Sequence, residues 1–580
     1  MTNAEVARVF NEIGDILEIQ GADAFRINSY RRVARTIADL PTDIADVATR
    51  GELTSLPGVG KASAQKIQEL LETGKLRLRE QLAREVPNSL LRLLNIPGMG
   101  PKKVALLWKE RGIASLADLK AAIAAGKLEG LKGLGAKSIE QMRQGIEFLE
   151  RSAGRTRLGD AWPIAQMLRQ AVLEMKGVTR AEHAGSLRRG RETIGDLDLL
   201  CVAKDGARVV KQFTELPGVR QILAAGKTKG SALVEHAARQ TIQVDLRVVP
   251  RESFGAAWQY FTGSKEHNVR LRELALRRGW SLNEYGLTEG DKVIASREEE
   301  DIYAALGLPC FPPELREDRG EFELKEIPQD LLTLEHIRGD LHMHTLASDG
   351  NCTIEELVAA AKQRGYKYIC ITDHSQSSVI ANGLKPARLK QQIAEVQRIA
   401  KKTKGITVWT GTEVDILGDG SLDFPDELLA QLDFVTASIH SGMGRNIESN
   451  TRRTLAAIRN PYVNVIGHPT GRLINEREAM ALDMETVCKE AAKTGTALEI
   501  NAHPYRLDLK DQHARLAREH GATICISTDA HDTDQLDLMF YGVLTARRAG
   551  LRKRDVLNTW TAKQITDFVW AKRQGRKVRR

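Results

Sequence analysis

Residues 185–202 read Gly-Ser-Leu-Arg-Arg-Gly-Arg-Glu-Thr-Ile-Gly-Asp-Leu-Asp-Leu-Leu-Cys-Val, and this stretch decides the fold of the middle of the chain. The apolar run that ends at Val202 predicts a strand. Alternate residues of a strand face the same side of a sheet, so Asp196 and Asp198 point together. Two neighbouring carboxylates repel each other unless a cation lies between them. The stretch therefore predicts a cation site on a strand.

A third carboxylate belongs to the same predicted sheet. The run Thr241–Val249 also predicts a strand and carries Asp245, and the texture from Ala161 to about Arg251 is mixed α/β. Three carboxylates suit two Mg²⁺ ions, which activate a 3′-hydroxyl and neutralise a triphosphate. The Gly-Ser turn and Arg189 are placed to hold those phosphates. An Asp-x-Asp pair alone is common on solvated surfaces, but with the Gly-Ser turn it indicates the nucleotidyltransferase superfamily.

The chain before this stretch is helical in pattern and contains a repeated phrase. A glycine-bearing turn followed by a helical run occurs at Leu56–Lys61, Ile96–Lys102 and Leu131–Lys137. Glycines allow a tight turn, and the next helix presents unpaired N–H groups that can dock a phosphate. One copy would be an ordinary helix connection, but three copies in a basic protein favour the helix-hairpin-helix motif, which holds the DNA backbone. The predicted DNA-contact residues are Gly58, Gly60, Lys61, Gly98, Gly100, Lys102, Gly133, Gly135 and Lys137.

The C-terminal part alternates seven short apolar runs with helical patterns, which predicts a parallel α/β barrel or sheet. It opens with Asp-Leu-His-Met-His at residues 340–344, where both imidazoles face one side of a strand. Further His, Asp and Glu residues follow at the ends of the other runs, where the active site of such a barrel lies. Mixed imidazole and carboxylate ligands favour Zn²⁺, Mn²⁺ or iron over Mg²⁺. The runs are Gly339–His344, Tyr368–Thr372, Ile406–Trp409, Phe434–Ile439, Val463–Ile466, Ala497–Ile500 and Thr523–Ile526.

Composition agrees with this organisation. The 580 residues are too many for one core, and the net charge of +9 favours a polyanionic partner. Ten of the 13 histidines lie between His336 and His531, so metal chemistry is expected in the C-terminal part. Six scattered cysteines, none in a Cys-x-x-Cys pair, predict reduced core residues. We expect a cytoplasmic protein with no secretory or membrane segment, and a monomer.

The segment Tyr260–Ser264, Tyr-Phe-Thr-Gly-Ser, completes a set of motifs that closely resembles the family X DNA polymerases, the group that contains polymerase β. The resemblance covers about residues 1–315. It implies that Asp196, Asp198 and Asp245 bind Mg²⁺ or Mn²⁺ and that Asp245 is the base for the primer hydroxyl. It also implies that Ser186, Arg189 and Gly195 contact the triphosphate, Tyr260, Phe261 and Gly263 the sugar, Asn268 the base, and Arg272 the templating strand.

Two features qualify this resemblance. Ile194 and Lys265 stand where vertebrate members have a serine and an acid, which puts the detailed nucleotide contacts of those members in question. Lys66 is, from its spacing, either a plain phosphate contact or a nucleophile that forms a Schiff base with an abasic sugar. The resemblance implies the second role, with Tyr30 and Arg26 as the neighbours of the lyase lysine.

The histidine-rich part is similar to the PHP (polymerase and histidinol phosphatase) domain over about residues 336–575. The resemblance implies up to three Zn²⁺, Mn²⁺ or iron ions and hydrolysis of a phosphodiester or phosphomonoester by a metal-bound hydroxide. The ligands that it implies are His342, His344, Glu413 and Asp529 for one ion, Glu413 with His440 and His468 for a second, and Asp349, His374 and His531 for a third. His503 and Arg506 lie near the site in the sequence and are expected to contact the substrate.

The order of the two resemblances is that of bacterial and archaeal family X polymerases, so gapped or primer-template DNA and deoxynucleoside triphosphates are the expected partners. The main prediction is gap filling with 3′ trimming. The alternatives are a small-molecule phosphatase or a DNA-end-binding scaffold. The predicted regions are a lyase-like helical domain (1–82), a helical DNA-binding domain (83–155), an α/β nucleotidyltransferase palm (156–250), an α+β thumb (251–315), a linker (316–335) and a (β/α)7-type distorted barrel (336–575).

Overall fold

The computed structural model describes residues 1, 3–38, 40, 43–87, 89–94, 96, 99–129, 131, 134–135, 138–140, 142–143, 146, 155–236, 240–475, 477 and 479–576. The chain forms two compact units. One comprises residues 1–154 and 235–241, and the other comprises residues 155–234 and 242–580. Within the described ranges, no helix is both long and apolar enough to cross a membrane.

The first unit is helical, which confirms the predicted N-terminal class. Its amphipathic helices share one apolar core, which extends from Val6 to Ile146. The side chains of Asp43 and Ser115 cap helices, whereas the helices after the first two glycine turns have no side-chain cap. The helices are α1 (Asn3–Gln20), α2 (Ala24–Ala38), α3 (Ile44–Thr49), α4 (Lys61–Thr73), α5 (Arg77–Glu85), α6 (Ser89–Leu93), α7 (Pro101–Arg111) and α8 (Leu116–Ala124).

The palm is a five-stranded sheet at the start of the second unit, in the spatial order β2-β4-β7-β6-β5. The two predicted strands with acidic residues, β4 and β7, are parallel neighbours in the sheet. Apolar residues of the sheet and of helices α9 and α11 form the palm core. The elements are β1 (Thr156–Arg157), α9 (Leu158–Leu173), β2 (Val178–His183), α10 (Gly185–Arg188), β3 (Thr193–Ile194), β4 (Asp196–Ala203), α11 (Gly206–Thr214), β5 (Val219–Ala225), β6 (Lys229–His236) and β7 (Gln240–Val249).

The thumb follows as three helices and a small antiparallel sheet in the order β10-β9-β8. The stretch 316–335, which the sequence suggested as a linker, has buried side chains, including Arg316 at 1% exposure and Glu321 at 4%. The thumb elements are α12 (Phe254–Thr262), α13 (Lys265–Leu276), β8 (Ser281–Asn283), β9 (Gly286–Glu289), β10 (Lys292–Ala295) and α14 (Glu299–Ala305).

The C-terminal part is a seven-stranded parallel barrel, as predicted, with the strands in chain order. A parallel bridge between Met343 and Ala530 joins its first and last edges. The strands are β11 (Gly339–Asp340), β12 (Tyr368–Ile371), β13 (Thr407–Asp415), β14 (Phe434–Ser438), β15 (Val465–Ile466), β16 (Ala497–Asn501) and β17 (Ile524–Ser527), and the helices are α15 (Ile354–Gln363), α16 (Pro386–Lys402), α17 (Asp426–Leu429), α18 (Ile447–Arg459), α19 (Met484–Thr494), α20 (Asp511–Glu519), α21 (Met539–Arg548) and α22 (Ala562–Arg573).

The two ends of this barrel differ in chemistry. At the amino ends of the strands, Tyr368 and Phe434 pack in an apolar cluster with Ile565 and Phe568 of α22. The carboxyl ends carry the histidines and carboxylates. The apolar end therefore closes the barrel, and the polar end is left for a site, as in other parallel α/β barrels.

A buried carboxylate joins palm and thumb. Glu299, 2% exposed, pairs with Arg316 at 2.5 Å and with Arg188 at 2.7 Å. Burial alone would raise the pKa of Glu299, but the two guanidinium groups outweigh it and hold the pKa at about 2. The unpaired carboxyl would titrate near 4.5. This contribution to stability is therefore complete above pH 4.5 and is lost as the pH falls towards 2.

We expect Glu299→Gln to lower the free energy of unfolding by about 3–5 kcal/mol, because it leaves Arg316 buried without a counter-charge. Glu298 is the matched control, since it pairs with Arg180 at 3.3 Å but is 54% exposed. Glu298→Gln should cost less than about 1 kcal/mol. Thermal unfolding at pH 7 measures both, and equal losses would show that the buried pair has no special role.

Candidate active sites

The register of β4 and β7 brings the three palm acids together. Asp198 is directly opposite Asp245 on the parallel neighbour, and Asp196 is opposite Gln243. Asp245 is 9% exposed and accepts hydrogen bonds from Ser231 Oγ and from Gln243 Nε2 at 3.1 Å. The strands thus hold three carboxylates at one place on the sheet.

These acids repel one another electrostatically. Burial raises the pKa of Asp198 to about 7, with Asp196 and Asp245 adding to the shift. Burial and then Asp245 also raise the pKa of Asp196. Only one cation, Lys229 Nζ at 3.1 Å from Asp245, forms an ion pair with the triad among the described residues. Oxygen donors with this excess of negative charge fit Mg²⁺ or Mn²⁺.

The Gly-Ser turn approaches the acids closely. Gly185 has φ +63°, and a Cβ there would overlap Asp198 Oδ2, so no side chain fits. Ser186 and Arg189 follow on the wall of a cavity of about 780 Å³ that also contains Asp196 and Asp198. Arg189 donates from Nε to Glu317 at 3.1 Å and from Nη1 to the carbonyl of Thr262.

The thumb supplies the opposite wall of the same cavity. Tyr260, Phe261, Gly263, Asn268 and Arg272 all line it. Asn268 donates from Nδ2 to the Tyr260 carbonyl at 2.6 Å, and the two aromatic rings meet edge to face. Gly195 is not among its lining residues and lies against the Arg155 guanidinium, 2.9 Å from where a Cβ would be.

Three residues of this centre were missed from the sequence. Arg155 lines the cavity and donates to Thr193 at 2.7 and 3.0 Å. Glu317 lies on the same wall, and Lys229 pairs with Asp245. No motif marks them, because they lie far apart in the sequence and each is one of several charged residues in its own stretch.

The first two glycine turns each lead directly into a helix. Gly58 has φ +78°, and exposed Gly60 and Gly100 precede α4 and α7, which begin with uncapped N–H groups. Lys61, Lys102 and Gly135 are also exposed. The other three predicted contacts, Gly98, Gly133 and Lys137, lie outside the described residues.

Lys66 lies beside Tyr30, which the family resemblance predicted as its neighbour. Its Nζ is 5.9 Å from the centre of the Tyr30 ring and donates to the Ala62 carbonyl at 3.1 Å. Arg26 is exposed on the same helix as Tyr30.

The barrel assembles all nine predicted ligands around Glu413, which is 1% exposed. Five imidazoles approach its carboxylate. The distances are 2.8 Å from His374, 2.9 Å from His468, 3.4 Å from His440, 3.5 Å from His342 and 3.8 Å from His344. Asp529 lies 3.0 Å from His344, and Asp349 lies 3.4 Å from His531 and 3.5 Å from His374.

Three groups of donors have the spacing of metal ligands. They are His344, Asp349, His374 and His531; His342, His344 and Asp529; and His374, Glu413 and His440. His342 Nε2, His344 Nδ1 and Glu413 Oε2 are buried without a hydrogen-bond partner among the described residues. Buried polar atoms normally have partners, so these atoms fit bound cations. The donor set of imidazole and carboxylate fits Zn²⁺, Mn²⁺ or iron.

Two acids that the sequence did not single out hold these ligands. Glu499 is fully buried; its Oε1 lies 2.8 Å from His342 Nδ1, and its Oε2 accepts from the His468 backbone N–H. Asp415 lies 2.5 Å from His440 Nδ1. Glu499 is an acid between apolar residues of β16, which is a signal that could have identified it. Asp415 ends β13 two residues after Glu413 and so shares its side of the strand. A carboxylate on the far nitrogen fixes the ring and its tautomer.

The rim of this site forms a cavity of about 540 Å³. Arg506 lines it, with Nε 3.9 Å from Asp529, while His503 packs against Tyr505 and is absent from the lining. Asp373, next to the ligand His374, instead accepts hydrogen bonds from Thr345.

Family models match most of the chain. A helix-hairpin-helix domain matches residues 1–76, and a SAM-like helix-hairpin-helix tandem matches residues 90–147. The DNA polymerase beta thumb matches residues 257–317, and the PHP domain matches residues 340–503.

Curated relatives show the same two parts. The DNA polymerase/3′-5′ exonuclease PolX of Bacillus subtilis (strain 168) is 38% identical over 571 residues, which are 98% of this chain and 99% of the relative. DNA polymerase lambda of Rattus norvegicus is 29% identical over 342 residues, 54% of this chain and 56% of the relative. A probable phosphatase of Thermoanaerobacter sp. (strain X514) is 30% identical over 246 residues, 40% of this chain and 95% of the relative.

Proposed function

We propose that the two centres of this chain catalyse different reactions. The chain belongs to the family X DNA polymerases with a C-terminal PHP domain. The chain is a DNA-directed DNA polymerase that fills gaps during repair, and its barrel is a metal-dependent 3′-5′ exonuclease. One observation carries the proposal: one chain holds three neighbouring palm carboxylates, two of which line a nucleotide-sized cavity, and a barrel centre with three groups of donors at metal-ligand spacing.

At the palm, Asp196, Asp198 and Asp245 would hold Mg²⁺ or Mn²⁺, whose chemistry there would be to neutralise part of the triphosphate charge and to favour ionisation of the attacking 3′-hydroxyl. Asp245 is the proposed base, since Ser231 and Gln243 hold its carboxylate in place. Ser186 and Arg189 bind the phosphates. Apart from Gly195, which stands behind Arg155, the predicted nucleotide contacts share this cavity.

At the barrel, the nine predicted ligands would hold up to three Zn²⁺, Mn²⁺ or iron ions, and the chemistry these ions would supply is activation of water for hydrolysis of the terminal phosphodiester. Glu413 is proposed to bridge two of the ions, because imidazoles approach both of its oxygens. Arg506 is proposed to contact the phosphate of the substrate from the cavity wall.

The glycine turns are proposed to bind the DNA backbone on both sides of a gap, with the protein as a monomer. Lys66 keeps its predicted lyase role as a proposal. Borohydride should trap a covalent adduct with a 5′-deoxyribose-phosphate end in the wild type and not in Lys66→Ala. An equal yield of adduct in the variant would exclude Lys66 as the nucleophile.

Gapped DNA with a 5′-labelled primer tests the main proposal. With deoxynucleotides and Mn²⁺ the primer should lengthen until the gap is filled, and without deoxynucleotides it should shorten from its 3′ end with release of mononucleotides. A chelator should stop both reactions. Release of inorganic phosphate alone would instead support a phosphatase, and binding without either reaction would support an end-binding scaffold.

We expect Glu499→Gln to reduce 3′ trimming by about 10–100-fold and to leave gap filling unchanged, because His342 loses the carboxylate that orients it. Glu490→Gln is the matched control, since Glu490 pairs at 2.8 Å with Arg459, whose side chain is 59% exposed. Rates of mononucleotide release and bound metal per chain provide the measurement. Full metal content with full activity in Glu499→Gln would contradict this role.

A further inference from the structure

An ion-pair cluster, buried except for the side chain of Arg191, connects the palm, the end of the thumb and the barrel, all within the second unit. We call it the interdomain cluster. It consists of four guanidinium groups and two carboxylates: Arg189, Arg191, Arg319, Arg548, Glu317 and Asp511.

Arg548, at the end of barrel helix α21, holds Arg189 in two ways. Its Nη1 donates to the Arg189 carbonyl at 2.8 Å. The same Nη1 donates to Glu317 Oε1 at 2.9 Å, and that oxygen accepts from Arg189 Nε at 3.1 Å. A barrel residue therefore contacts the Arg189 backbone directly and the Arg189 guanidinium through Glu317.

Asp511, at the start of barrel helix α20, holds Arg548 in turn. Its Oδ2 is 2.9 Å from Arg548 Nη2 and 3.0 Å from Arg319 Nη1. The side chains of Arg548, Glu317 and Asp511 are only 4%, 8% and 11% exposed. Water therefore screens these pairs poorly, and their geometry is restricted.

The cluster has an excess of positive charge beside the nucleotide cavity. Burial alone would raise the pKa of Glu317, but Arg548 and Arg189 outweigh it and hold the pKa at about 2, so this carboxylate stays charged. Arg189, Arg191 and Glu317 line the cavity. A cationic wall with fixed donors is suited to bind a polyanion such as a triphosphate.

We propose that Arg548 is a positioning residue of the polymerase centre, so that the barrel orients Arg189 for triphosphate binding. The inference rests on the proposed function, in which Arg189 contacts the incoming nucleotide. It makes the exonuclease domain a structural part of the deoxynucleotide site, separate from the chemistry that the barrel itself performs.

Single-nucleotide gap filling by the full-length chain tests this inference. We expect Arg548→Met to raise the KM for deoxynucleotide by about tenfold or more with little change in kcat, because a displaced binding group weakens capture. Arg548→Lys, which keeps the charge but not the paired donors, should raise it by about threefold. Trimming of single-stranded DNA should stay at the wild-type rate in both variants.

Arg547→Met is the matched control. Arg547 is the preceding residue of the same helix and forms an ion pair of similar kind with Glu314 at 2.7 Å, away from Arg189. Its deoxynucleotide KM should stay within about twofold of wild type. A wild-type KM in Arg548→Met, or an equal rise in Arg547→Met, would overturn the inference, as would parallel loss of trimming in both Arg548 variants.

Arg189→Ala separates this inference from the proposed function. If Arg189→Ala leaves the deoxynucleotide KM unchanged, Arg189 does not bind the triphosphate and the proposed nucleotide site is wrong. If Arg189→Ala raises the KM and neither Arg548 variant does, only the positioning role fails.

Discussion

Primer extension on gapped DNA should fall by on the order of 10³-fold or more when Asp196 and Asp198 are both replaced by alanine. These two carboxylates and Asp245 are the only acids that line or face the nucleotide cavity from the palm sheet within the described residues. With Asp196 and Asp198 replaced, only Asp245 of these three acids would remain to hold the cations that the triphosphate requires. Trimming of the 3′ end should be unaffected, since its ligands are in the barrel.

The same double variant has a second signature that a general folding defect would not produce. The raised pKa of Asp198, about 7, means that ionising this group opposes folding progressively above pH 3.8 and fully above pH 7. In a chelator at pH 8, the variant should therefore melt at a higher temperature than the wild type. Asp291→Ala, at an exposed turn of the thumb, is the control and should change neither property. Extension that survives the double change would refute the assignment of this centre.

The second large effect is expected at Glu413. Glu413→Gln keeps the size of the side chain but removes the charge around which five imidazoles gather. We expect 3′ trimming to fall by on the order of 10³-fold and bound metal to fall below the wild-type content, because a neutral amide is a weak bridging ligand. Gap filling should continue at the wild-type rate.

Metal analysis and release of mononucleotides measure this loss together. Glu395→Gln is the control, because Glu395 lies on the outer face of α16 and pairs with Arg398 at 2.5 Å. Trimming at the wild-type rate in Glu413→Gln would exclude Glu413 as a bridging ligand. The Asp196 and Asp198 double variant should therefore lose primer extension and keep 3′ trimming, whereas Glu413→Gln should lose trimming and keep extension.

Local sequence patterns were sufficient to predict most of the helices and strands and most of the candidate metal ligands. The alternation in Gly-Asp-Leu-Asp predicted a strand with paired donors, and Asp196 and Asp198 both lie on β4. In Asp-Leu-His-Met-His the predicted strand is shorter than expected: β11 ends at Asp340, and His342 and His344 follow it on either side of Met343, which forms an isolated bridge. Residues two apart on a strand share a face whatever the rest of the fold does. Order of elements then placed the barrel ligands at the carboxyl ends of the strands.

Contacts between ligands that are far apart in the sequence could not be predicted from any local pattern. The sequence suggested one grouping of ligands, whereas the folded chain brings His344 close to Asp349 as well as to Asp529, and His374 close to both Asp349 and Glu413. These distances follow from closure of the barrel and from the loops after each strand. They are set by all seven strands at once.

Some functional residues were not predicted from the sequence for the same reason. Glu499 meets His342 across 157 positions, and Arg548 meets Arg189 across 359. A charged residue in a strand or helix is normally solvated, and only its burial against a distant partner gives it a role. By itself the sequence determined the class of each region and which residue types could carry chemistry, because backbone periodicity depends on near neighbours. Only the tertiary structure decided which acid holds which histidine and that the barrel supports the nucleotide cavity, because those contacts exist only when distant segments are packed together.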